Sequence, residues 1–127
     1  MRILLAIERS DLRLGLEMLL DEQPGFTVAG SINDAASLLA LVKTARPDLV
    51  VLEWDLPGGL LTDVLDRVQD DALCPAIIIL GVDASTEQPA LAAGADAFVL
   101  KGDPPEELLI ALQRINARQV SVSRSSS

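Results

Sequence analysis

The chain contains no histidine and no tyrosine, one cysteine, one tryptophan and two phenylalanines. Without histidine there is no His-based zinc site, no Ser-His-Asp triad and no imidazole proton shuttle. A single thiol, Cys74, forms no internal disulfide and has no histidine to activate it. Beside Pro75 it reads as a small buried hydrophobe. Bases are scarce: 10 Lys and Arg stand against 19 Asp and Glu, a net charge of −9. That sign repels phosphate backbones, so no nucleic-acid binding by this domain itself is expected. No apolar run approaches the roughly 20 residues of a membrane span. The apolar start MRILLAI is short and runs into Glu8-Arg9-Ser10-Asp11, unlike a signal peptide. No membrane association and a cytoplasmic location are the expectation. No glycine-rich loop follows the first apolar run, which argues against nucleotide or flavin binding.

What is present is a regular alternation. Half of the 127 residues are hydrophobic, enough for one well-buried domain without staples. Apolar runs at Ile3–Ile7, Phe26–Ala29, Asp48–Glu53, Pro75–Leu80 and Ala97–Leu100 predict five strands. Helical spacing predicts helices over Asp11–Leu20 (capped by Ser10), Asp34–Ala45 and Leu60–Gln69, with Pro57-Gly58-Gly59 as a loop. A fourth helix ends near Ala93 and is closed by Gly94. Pro89 is tolerated only in a first turn, so this helix is predicted to start late, with Ser85 or Thr86 as its cap, and to be short or displaced. The last helix opens at Asp103-Pro104-Pro105-Glu106, with Asp103 as cap and Pro104 in the first helical position, and runs to about Ala117. Residues 118–127 end in SVSRSSS and read as a Ser-rich tail or the start of a linker.

Apolar strands alternating with helices predict an α/β fold with a parallel sheet covered on both faces. Sites in such sheets lie beyond the carboxyl ends of the strands. Glu8, Glu53, Asp55, Asp83 and Lys101 all fall there. Several carboxylates with one lysine suit a hard cation or a phosphoryl group.

Three stretches, RILLA, RPDLVVLEWDLPGG and AGADAFVLKGDPPEELLIAL, resemble the receiver domain of two-component response regulators. The likeness is to the DNA-binding class with a C-terminal helix-turn-helix, the LuxR/NarL-like regulators, and covers residues 1 to about 117. It implies a flavodoxin-like, doubly wound (βα)5 sheet of strand order 2-1-3-4-5. It also implies a magnesium-holding acidic pair, which here reads Ile7-Glu8, so one acid is missing. The phosphoacceptor aspartate corresponds to Glu53, and the hydroxyl-bearing switch residue to Gly81. The lysine is retained as Lys101 and the aromatic switch position as Phe98, without a hydroxyl.

Glu53 carries one methylene more than aspartate, a displacement of about 1 Å that can cost a hundredfold in rate. At most weak Mg2+ binding through Glu8 and Glu53, with help from Asp55, is expected, and no other cofactor. Glu53 is in reach of Lys101 and would supply a permanent negative charge at the phosphoryl position. Trp54 is expected at the pocket rim. The leading expectation is an atypical, non-enzymatic receiver that signals through protein contacts, either alone or within a longer transcriptional regulator. Two alternatives stay open: a working phosphoacceptor using Glu53 or Asp55 with Mg2+, and a small-molecule sensor in a pocket opened by Ile7 and Gly81. Expected partners are a histidine kinase or another signalling protein. A second copy is also expected, paired through the first and last helices by Leu14, Met18, Leu109 and Ile110.

Overall fold

A computed structural model describes residues 1–57, 61–69 and 74–125. Gly58, Gly59 and Leu60, where a loop and a helix start were predicted, lie outside the described residues, as do Ser126 and Ser127. The elements are β1 (Arg2–Ala6), α1 (Ser10–Asp21), β2 (Thr27–Ile32), α2 (Ala36–Ala45), β3 (Leu49–Glu53) and α3 (Leu61–Gln69). They continue with β4 (Ala76–Gly81), a 3-10 turn (Ala84–Thr86), α4 (Glu87–Ala92), β5 (Ala97–Leu100) and α5 (Pro105–Ser125). All strand pairs are parallel and the order is β2-β1-β3-β4-β5, as predicted.

Alternating residues of the central strands feed two cores. Leu4, Ala6, Val50, Leu52, Ile77 and Ile79 meet Leu38 and Val42 of α2 and Leu65 and Val68 of α3 on one side. Ile3, Leu5, Val51, Ile78 and Leu80 meet Leu16 and Leu20 of α1 and Leu108, Leu112 and Ile115 of α5 on the other. Both faces of the central strands are buried, so Ile3–Ala6, Leu49–Leu52 and Ala76–Leu80 are apolar without interruption. The first polar residue of β3 is Glu53, at its carboxyl end.

Several boundaries differ from the sequence reading. β2 extends to Ile32, because Gly30, Ser31 and Ile32 pair with Leu4, Leu5 and Ala6 after an irregularity at Ile3/Leu4. Ser10 is the first residue of α1 and does not cap it. Arg9 holds the cap position and makes no side-chain hydrogen bond there. Pro105, not Pro104, takes the first position of α5. Asp103 instead accepts from the Leu100 N–H at 3.3 Å. The α5 backbone stays helical to Ser125, beyond the predicted end at Ala117. Cys74 is exposed rather than buried, its Sγ donating to the Pro75 carbonyl at 3.3 Å.

α4 is short, as Pro89 requires: six residues, with the proline in the first turn, where its missing N–H costs no helical bond. Thr86 occupies the cap position but makes no cap hydrogen bond. The capping is done one turn earlier, where the Asp83 carboxylate accepts from the Ser85 N–H at 2.9 Å. Leu109 is half-buried against the layer that holds α1, whereas Leu14, Met18 and Ile110 are 58%, 62% and 41% exposed. Consecutive helical residues diverge by about 100°, so Leu109 is lost from the expected apolar patch while Ile110 stays outside.

Two glycines give a paired stability test. Gly94 ends the α4 segment at φ 109°, and a Cβ there would strike the Gln69 side chain, which donates to the Gly94 carbonyl at 3.0 Å. Gly94→Ala is expected to lower unfolding free energy by about 1–3 kcal/mol in urea titrations. Gly15 lies within α1 with open space around it, and Gly15→Ala is expected to raise stability by about 0.5–1 kcal/mol.

Candidate functional site

The carboxyl ends of β1, β3, β4 and β5 converge on one buried charge. Glu53 is 2% exposed, the one buried charged residue among the described residues. One carboxylate oxygen, Oε1, accepts a short hydrogen bond from the Glu8 N–H, just beyond β1. The other, Oε2, lies 2.5 Å from Lys101 Nζ, just beyond β5. The same ammonium lies 2.8 Å from Asp55 Oδ1. Lys101 therefore bridges a buried and an exposed carboxylate, its own side chain being 17% exposed.

Backbone pairing fixes this arrangement. The Trp54 N–H donates to the Leu80 carbonyl at 2.9 Å, extending the β3–β4 ladder past Glu53. The Lys101 N–H donates to the Gly81 carbonyl at 2.9 Å, extending β4–β5. Trp54 is half-buried and packs on the α2–α3 side of the sheet.

Burial disfavours the Lys101 charge, but the hydrogen bonds it donates to Asp55 and Glu53 outweigh that cost and raise the pKa above 10.5. The hydrogen bond from Lys101 lowers the Asp55 pKa below 3.8.

The predicted residues do not all meet. Glu8 reaches Glu53 through its backbone N–H, and its side chain points to solvent. Ile7 is fully buried among the α1- and α5-facing apolar residues. Its carbonyl accepts from Arg13 at 2.9 Å, a contact that no motif signalled. Asp83 is engaged in its own turn.

Magnesium requires several oxygen ligands in near-octahedral array. Here both Glu53 oxygens already have partners, and one partner is an ammonium that also holds Asp55. Among the described residues no group of three or more His, Cys, Asp or Glu could hold a metal ion. The residues present do not fit the ion that the family resemblance implies.

Gly81 does not open a cavity. A Cβ built there would collide with the Phe98 ring and the Thr86 hydroxyl. Phe98 is half-buried and packs on the sheet core, and Thr86 Oγ1 donates to the Asp83 carbonyl at 2.8 Å. The space of the missing side chain is filled by these two neighbours. The pocket expected from Ile7 and Gly81 is thus closed at both positions.

A five-stranded parallel sheet of order 2-1-3-4-5 with an acid–lysine pair beyond its carboxyl edge defines the class. The response regulator receiver domain model matches residues 3–113, and the chain belongs to that family. It is 31% identical over 125 residues to the nitrate/nitrite response regulator protein NarL of Escherichia coli K12, covering 97% of this chain and 58% of NarL. It is 36% identical over 104 residues to NarP of the same organism, covering 80% of this chain and 48% of NarP. The chain thus spans about half the length of these curated relatives. Among solved structures, a LuxR-family two-component response regulator from Aurantimonas sp. SI85-9A1 superposes with TM-score 0.81 at 28% identity, over 91% of this chain and 84% of that one. Among the described residues no helix is long and apolar enough to cross a membrane.

The two arms of the lysine bridge differ in burial, and so do their expected effects. Lys101→Met strands the buried Glu53 charge and is expected to destabilise by about 3–5 kcal/mol. Asp55→Asn removes an arm whose carboxylate is 60% exposed and is expected to cost about 0–1 kcal/mol. Chemical denaturation of both variants measures the difference. The pH dependence has a definite sign. The Asp55 contribution is present above its unfolded pKa of 3.8 and is lost as pH falls through its lowered folded value. The Lys101 contribution is complete below 10.5 and is lost as pH rises through its raised folded value.

The packing over Gly81 predicts coupling. Gly81→Ala is expected to cost about 1–3 kcal/mol through overpacking. Combined with Phe98→Ala, it is expected to cost at least 0.5 kcal/mol less than the sum of the single variants, as a double-mutant cycle measures.

Proposed function

We propose that this chain is a phosphorylation-independent receiver, locked in a single state by its own Glu53–Lys101 ion pair, that signals through protein–protein contacts. One observation carries the reading: Glu53, at the phosphoacceptor position, is buried with both oxygens engaged. Phosphoryl transfer depends on positioning and on neutralising charge that develops on the transferred group. Here the acceptor oxygens face an N–H and an ammonium, the metal-binding acid at position 7 is isoleucine, and position 81 has no hydroxyl. The lysine that would steady incoming negative charge is already neutralised by two carboxylates. The domain is read as non-catalytic.

Likeness to NarL and NarP supports a place in a longer transcriptional regulator, with a histidine kinase or another signalling protein as partner. The net charge of −9 supports leaving DNA contacts to a separate domain. Cytoplasmic action and association of two chains through the first and last helices, where Leu14, Met18 and Ile110 are exposed, complete the reading.

The test is intact mass after incubation with acetyl phosphate and Mg2+, with Trp54 fluorescence followed on adding Mg2+ and beryllofluoride. No mass gain and no saturable fluorescence change are expected. One added phosphoryl group with a saturable response would overturn the proposal. Its persistence in Glu53→Gln would assign the acceptor to Asp55.

A further inference from the structure

One peptide group connects α1 to the buried carboxylate. The Glu8 N–H donates to Glu53 Oε1, and the carbonyl of the same peptide, that of Ile7, accepts from Arg13 Nη1 at 2.9 Å. In a trans peptide the carbonyl and the N–H point in opposite directions, and the unit is planar and stiff. A partner that holds the Ile7 oxygen therefore aims the Glu8 hydrogen. Turned over, this peptide would present its oxygen to the Glu53 carboxylate, negative against negative.

The helix places Arg13 for the contact. The Arg13 N–H donates to the Arg9 carbonyl at 3.0 Å, which puts the residue in the first turn of α1. Helical side chains lean toward the N-terminus of their helix, here back over the segment leaving β1. Sheet pairing ends just short of that segment: the Ile7 N–H still donates to the Ile32 carbonyl at 3.0 Å, and the next peptide is the one Arg13 holds.

Arg13 is half-buried and takes part in none of the ion pairs among the described residues, Arg9–Asp11, Lys101–Glu53 and Lys101–Asp55. Its guanidinium stays protonated in proteins. That charge reaches Glu53 through the intervening peptide, because hydrogen bonds in series polarise one another. Glu53 thus lies between two cations, Lys101 in direct contact at Oε2 and Arg13 one peptide removed at Oε1.

We infer that Arg13 is a positioning residue for Glu53: its bond to the Ile7 carbonyl orients the Ile7–Glu8 peptide so that the N–H is presented to the buried carboxylate. This rests on the proposed lock at Glu53 and adds α1 to the parts that hold it.

The test is amide NMR with hydrogen exchange on the 127-residue chain, read at Glu8 and, as an internal control, at Ile7. An N–H bonded to a carboxylate resonates downfield and is protected. Arg13→Met is expected to move the Glu8 proton upfield and to speed its exchange about tenfold or more, as loss of one charge-assisted hydrogen bond requires. The Ile7 N–H is expected to keep its position and protection. Arg13→Lys supplies a donor of the same charge and is expected to restore most of the Glu8 signal. Arg13→Gln keeps a neutral donor, is expected to fall between, and carries the test if Arg13→Met does not fold. Gly94→Ala, destabilising but placed before β5, is expected to leave the Glu8 resonance unmoved.

An unmoved Glu8 resonance in both Arg13→Met and Arg13→Gln would overturn the inference. So would equal loss of protection at Ile7 and Glu8, which would make Arg13 a brace for the end of β1. A Glu8 change of the same size in Gly94→Ala, or in Arg13→Lys, would overturn it too. All spectra are taken without Mg2+ or a phosphoryl donor, so this outcome is separate from the intact-mass test of the proposed function.

Discussion

The functional end of this domain is organised by one buried carboxylate that has to be neutralised. Five parallel strands supply an apolar slab, and Glu53 is the point where that slab holds a charge. An isolated carboxylate there would be costly to desolvate. The fold meets the cost by drawing the Glu8 N–H from beyond β1 and Lys101 from beyond β5 onto the same group. The strand order brings both donors to the same rim, since β1 and β4 flank β3 and β5 lies next to β4. The ion pair therefore ties together chain segments far apart in sequence, and the lysine's second arm, Asp55, extends the tie to solvent.

Such a pair fills the carboxyl edge of the sheet with charges that already satisfy one another. The negative charge there belongs to a side chain, and Lys101 is held by two carboxylates. Glutamate at this position is more than a longer aspartate. Its two oxygens engage both partners at once from the end of β3.

Most of the fold was legible because strands buried on both faces are continuously apolar, and runs such as LVVLE and AIIIL leave few alternatives. Glu53 and Lys101 were legible as partners because both fall at carboxyl ends of strands of one parallel sheet, where such sheets gather their polar groups. The failures share a cause. Gly81 reads in one dimension as missing volume, but Phe98 from the neighbouring strand and Thr86 from the following turn fill that volume. The outward-turned side chain of Glu8 was equally hidden, since only its backbone serves the site. The helix starts shifted by one residue at Ser10 and Pro104, where Arg9 holds the α1 cap without a side-chain hydrogen bond and Asp103 accepts from the Leu100 N–H behind α5. The helical course of α5 to Ser125 ran against a composition that suggested a tail.

The packing over Gly81 also gives the sequence a direction in time. A substitution that introduced a hydroxyl side chain at this position would meet the Phe98 ring and the Thr86 side chain at once. Phe98 would first have to leave, and that step alone would open a gap beside a glycine with nothing to fill it. Each single change is unfavourable on the background of the other. The domain thus sits behind a mutational ratchet: the glycine at position 81 is held in place by a neighbouring aromatic ring, whatever selection acts on the site itself.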